Sequence, residues 1–130
     1  MTSRMATRIL AGHAIEEAAM QKQFKLDKTQ LRELAPGHGL CVVSDMITVD
    51  GHGVGFMYRE EPEDAEDSGW RFLSGLETDS YIDNSKNFAV VDVNIVANYD
   101  EAIIPLLDSP VGAEFDKAED GETFLDANAP

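Results

Sequence analysis

After Gly39 the chain is written in short runs of β-branched and aromatic residues cut by turn formers: LCVVS (40–44), MITV (46–49), GVGFMYRE (53–60), WRFLS (70–74) and FAVVDV (88–93). Short runs of this kind suit a pleated, half-buried surface and impose a sheet. In the third run Val54, Phe56 and Tyr58 fall on one face and Gly55, Met57 and Arg59 on the other; in the fourth, Trp70, Phe72 and Ser74 oppose Arg71 and Leu73. These two runs are expected to pair as a hairpin. The stretch EEPEDAEDSG (60–69) becomes its connecting loop, with Pro62 unable to donate to a ladder. FAVVDV is apolar on both faces, which points to a central strand.

The residues before 40 follow a different period. From Thr7 to Ala35 they are mostly helix formers, and Ile15, Ala18, Ala19 and Phe24 share one helical face. LDKTQLREL restarts the pattern: Asp27 can cap free amides while Gln30 reaches back, as in a capping box. Leu31 and Leu34 would face inward, and PGHG (36–39) stops the helix. The expectation is one longer and one short helix before residue 36. Further on, NYDEAIIPLLDSP (98–110) reads as a helical turn opened by Asn98 or Asp100, with Ile103, Ile104 and Leu107 inward and Pro105 as its limit. The tail adds a weak hairpin around Asp120-Gly121.

A chain of 130 residues, 43% of them hydrophobic, supports one core. The expected architecture is α+β, with N-terminal helices packed on a curved, mainly antiparallel β-sheet of about five strands. Residues 1–39 form the N-terminal helical segment, 40–126 the α+β domain, and 127–130 a frayed tail. No stretch has the length of a membrane span and the N-terminus lacks a secretory pattern, so a cytoplasmic protein is expected.

Charge is distributed unevenly. Residues 1–40 hold six basic and four acidic side chains, whereas residues 41–130 hold four and twenty-one. Such a surface repels nucleic-acid backbones and anionic membranes, because phosphate binding needs clustered Lys and Arg. The field favours a basic protein partner, although strong negative charge also serves solubility alone.

The motifs that would signal chemistry fail in detail. DGHGVGF (50–56) has alternating glycines but no Lys-Ser/Thr pair and no following helix, so it reads as an Asp-Gly turn between strands. DKAEDGETFLDA (116–127) places Asp116, Asp120 and Gly121 as a calcium loop would, yet Ala118 and Ala127 occupy ligand positions. His13, His38 and His52 have no partner at metal-site spacing. Cys41 is the single cysteine, in an apolar run, and reads as a small buried residue. No catalytic residue, metal or cofactor is expected.

Trp70 shares a face with Phe72, which favours the core, but exposed Trp, Tyr and Arg are also the usual anchors of interfaces. The string CVVSDMITVDGHGVGFMYREEPEDAEDSGWRFLSG, followed by YIDNSKNFAVVDVNIVANYDEAIIPLLDSPVGAEF, resembles the bacterial immunity-protein family numbered thirty-three in its series, formerly a domain of unknown function. The resemblance spans roughly residues 40–116 and is most specific in GFMYREEP, DSGWRFLSG and NYDEAIIPLLDSP. It implies an α+β domain that neutralises a toxin from a polymorphic or contact-dependent system. It attaches no catalytic residues.

Two readings follow. In the first, a noncatalytic immunity protein binds a protein toxin, possessing as candidate contacts Tyr58, Arg59, Glu60, Glu61, Glu63, Asp64, Asp67, Trp70 and Arg71. In the second, a small-ligand-binding domain or small enzyme uses Asp92, Asn94, Asn98 and Asp100, polar groups beside apolar walls. The N-terminal helices would also suit a homodimer interface.

Overall fold

The computed structural model describes residues 22–128. Among these, six strands make one sheet: β1 (Leu40–Ser44), β2 (Phe56–Arg59), β3 (Asp67–Leu73), β4 (Phe88–Asp92), β5 (Glu114–Lys117) and β6 (Phe124–Asp126), in the order β4-β1-β3-β2-β5-β6. β1 runs parallel to β3, and the other neighbours are antiparallel. The class is α+β as expected, but the sheet is mixed and has six strands rather than five. The tail hairpin around Gly121 accounts for β5 and β6.

The expected β2–β3 hairpin forms, pairing Phe56 with Leu73, Met57 with Phe72, Tyr58 with Arg71 and Arg59 with Trp70. Alternation then sorts side chains between two cores. Met57, Trp70 and Phe72 join Cys41, Val43, Ala89 and Val91 on one face, packed against Val93, Val96 and Ala97 of helix α3 (Val93–Tyr99) and Ile103 of the 3-10 segment Glu101–Leu106. The other face carries Val42, Phe56, Tyr58, Leu73 and Phe88, packed against Ile82 of helix α2 (Asp79–Ile82). Covering both faces in this way removes the sheet interior from water, which is the dominant stabilising term.

Three local expectations are corrected. MITV is not a strand: Ser44 caps helix α1 (Asp45–Thr48) through Oγ, which accepts from Met46 N at 3.1 Å, and Asp45 sits in the first turn, where carboxylates are favoured. Gly51 does adopt the left-handed conformation expected of Asp-Gly (φ +89°), but it follows α1 and donates its N–H to Ile47 O instead of joining two strands. FAVVDV is an edge strand: β4 pairs with β1 alone, and it is apolar on both sides because both faces of the sheet are covered.

At the N-terminal side the capping box is real, with Asp27 Oδ1 accepting from Thr29 N and Gln30 Oε1 from Asp27 N. The helix it opens lasts only one 3-10 turn, Lys28–Gln30, because Leu31 is already extended. The longer helix and its face through Ile15, Ala18 and Ala19 lie outside the described residues. The turn at 98–110 resolves in favour of Asp100, which caps the Glu101–Leu106 segment while Ile103 and Leu107 are buried.

Candidate functional site

The β2–β3 connection is a constructed loop. Glu60 N donates to Gly69 O at 2.9 Å, closing the base of the hairpin. Inside it, Asp64 Oδ1 accepts from Glu66 N and Asp67 N at 2.9 and 3.0 Å, and Asp67 Oδ2 accepts from Glu63 N at 2.8 Å. These are the side-chain turns that Asp favours. Gly69 has φ +88°, and a Cβ there would lie 2.2 Å from Glu60 O, so only glycine lets the two strands approach.

Beneath the loop lies Arg71, with a side chain that is 0% exposed. Its Nε donates to Glu60 Oε2 at 2.7 Å, while Nη1 and Nη2 donate to the two oxygens of Asp67 at 2.9 and 2.8 Å. Burial opposes the charge on Arg71, but these two carboxylates outweigh it and raise its pKa. The carboxylates respond differently. Burial pushes Asp67 up, yet the forked contact with Arg71 and the amides of Glu63 and Gly69 prevail and hold it at about 2. At Glu60, with its single contact to Arg71, burial prevails and the pKa rises.

The nine residues expected as partner contacts therefore divide. Tyr58, Trp70 and Arg71 are buried, so they belong beneath the site and are not its surface. Trp70 donates Nε1–H to Leu107 O at 3.1 Å, which satisfies its one polar group inside the core. Arg59 is half-buried over the Trp70 ring, 5.7 Å from its centroid, and donates to Ser68 O and Ser109 O. Glu60 and Asp67 are half-buried anchors. Glu61, Glu63 and Asp64 are exposed, and so is Glu66, which the sequence reading left out although it lies in the same acidic run. Among the described residues no Lys or Arg pairs with any of these four. A shallow concavity of about 500 Å³ opens beside the loop, between Gly37–Leu40, Arg59 and Ala65–Ser68.

The second candidate set is committed to the fold. Asp92 caps α3. Asn94 Oδ1 accepts from Leu34 N and Ala35 N, both at 2.7 Å, and its Nδ2 donates to Arg32 O. Asn98 Oδ1 accepts from Arg32 N at 2.8 Å. Asp100 accepts from Val54 N and Lys117 Nζ in addition to its capping bond. Asn94, Asn98 and Asp100 thus tie other segments of the chain to α3 and its C-terminal end, while Asp92 serves its N-terminus.

Among the described residues, no group of three His, Cys, Asp or Glu side chains is placed to hold a metal ion, and no helix is long and apolar enough to cross a membrane. His13 lies outside them. Cys41 is buried, and burial pushes its thiol pKa well up. Residues 41–126 match the family model described as the Immunity protein Imm33 domain. No curated protein and no solved structure matches the chain.

Proposed function

Since the chain belongs to the Imm33 immunity-protein family, we propose that it neutralises a toxin noncatalytically, by binding it directly through the β2–β3 loop. The observation that carries this reading is the row of exposed carboxylates, Glu61, Glu63, Asp64 and Glu66, which has no cationic partner within the described residues and sits on an ordered base. A charge-rich rim of this kind accelerates encounter with an oppositely charged protein and rejects like-charged ones. The partner is accordingly a basic protein toxin, and the net charge of -15 extends the attraction beyond the loop.

The test is a pull-down from native lysate with wild type and with E61Q/E63Q/D64N/E66Q, at low and high salt, scored by mass spectrometry. The expected result is one basic protein that is lost as salt rises, is absent with the variant, and arrests growth when expressed without this chain. Equal recovery by the variant would remove the loop from the interface.

A further inference from the structure

A buried arginine is an expensive way to fill a sheet face. Arg71 stands opposite Tyr58 and beside Val42, where an apolar side chain would pack without desolvating a charge. Buried ion pairs often stabilise no more than apolar residues of similar volume; one thing they can provide is a fixed geometry. The geometry fixed here belongs to the loop. The two carboxylates that Arg71 holds are the residues flanking it, Glu60 at its start and Asp67 at its end, and the further side-chain bond from Arg71 goes to Trp70 O in the same hairpin. Asp67 then passes the constraint inward by accepting from Glu63 N.

The loop also needs such a restraint. Six carboxylates within eight positions, Glu60 to Asp67, repel one another, and among the described residues Arg71 is the cation that pairs with any of them. Without it the ends would be driven apart by the same charge that makes the surface attractive to a basic partner.

We infer that Arg71 is the positioning residue of the docking surface: it fixes both ends of the acidic loop in the free protein, so that Glu61, Glu63, Asp64 and Glu66 meet a basic partner as a preformed row. This rests on the docking role proposed for the loop. Preformation lowers the ordering cost of binding and favours rigid partners over adaptable ones.

The experiment compares wild type, R71K, E60Q and E61Q/E63Q/D64N/E66Q by amide exchange on the free protein and by titration with hexa-arginine peptides, one linear and one cyclised head to tail. R71K keeps the charge but cannot fork across Asp67. Its Glu63, Glu66 and Gly69 amides should exchange at least about tenfold faster while the amides of Val43 and Phe72 stay protected. The cyclic peptide should bind roughly fivefold more weakly and the linear one within about twofold of wild type. E60Q, which leaves the Asp67 fork intact, should show a smaller change in the same direction and carries the test if R71K does not fold. Unchanged loop exchange, or equal weakening of both peptides, would overturn the inference. If instead the quadruple variant binds both peptides as wild type does, the docking reading fails whatever Arg71 does.

Discussion

Asp67→Asn isolates the energetic value of the anchor under the loop. Holding the Asp67 carboxyl at about 2 against an ordinary 3.8 corresponds to about 2 kcal/mol at neutral pH. The side chain is only 13% exposed, so solvent screening removes little of this. Asparagine adds a second loss. Whichever way it is turned, its amide nitrogen faces one Arg71 N–H together with the N–H of either Gly69 or Glu63, and a donor left unsatisfied there costs about 1 kcal/mol more. Glu60 stays on Arg71, which keeps the total below the roughly 3–5 kcal/mol of a fully stripped buried pair. The expected loss is therefore about 2–3 kcal/mol. Because the folded-state pKa is depressed, the contribution is complete above 3.8 and disappears as pH falls through about 2. Urea unfolding followed by the fluorescence of Trp70, the one tryptophan, reads this directly. The gap between wild type and D67N should be full at neutral pH and close by most of its size between pH about 4 and about 2. A gap under about 0.5 kcal/mol at neutral pH, or one that does not change with pH, would refute the account of Arg71 and Asp67 as a strong charged pair.

Gly69→Ala forces a Cβ to within 2.2 Å of Glu60 O at a left-handed φ and should cost about 2–4 kcal/mol in urea unfolding; a loss below about 0.5 kcal/mol would show that the strands can separate there without penalty. Asn94→Ala removes three of the bonds that hold residues 32–35 to α3, leaving those of Asn98 to Arg32; a stability loss of about 2 kcal/mol and faster tryptic cleavage after Arg32 are expected, and an unchanged cleavage rate would count against the clasp. Cys41, buried and with its thiol pKa raised, should resist a disulfide reagent in native buffer and react fully in denaturant; rapid native labelling would contradict its placement.

The β2–β3 hairpin was legible because each strand alternates between two apolar sets and the acidic, proline-containing stretch between them cannot continue a ladder. The same reasoning misplaced MITV and FAVVDV for separable reasons. Ile47, Thr48 and Val49 carry strand propensity, but Ser44 and Asp45 form a helix start, and a cap with a tertiary contact for Ile47 outweighs intrinsic preference over four residues. In FAVVDV two apolar faces were taken as the mark of a central strand, whereas they record only that helices lie on both sides of the sheet. Helix α3 was missed although Asp92, Val93, Val96 and Ala97 supply a cap and an i, i+3, i+4 stripe. The apolar run before it hid the change of period.

Within the candidate site, composition identified the acidic loop, and alternation placed Trp70 with Phe72. Neither could identify what Arg71 does, because an arginine alternating with apolar neighbours ordinarily reads as the solvent side of a strand. Its burial depends on its neighbours on the second face, Val42 of β1 and Tyr58 of β2, and on the two ends of the loop that fold onto it. Once that face is closed, a charge at position 71 must be paired, and the carboxylates within reach are those at the two ends of the loop. The feature on which the proposed docking role rests, a high density of carboxylate, is thus also what neutralises the buried cation. The proposed docking surface and the interior ion pair are parts of one charge arrangement, so substitutions beneath the loop and on its surface should not combine additively. D67N should therefore cost less stability in the E61Q/E63Q/D64N/E66Q background than in the wild type, since removing the repelling carboxylates relieves the repulsion that Arg71 otherwise opposes. An equal cost in both backgrounds would mean that the anchor and the surface act independently.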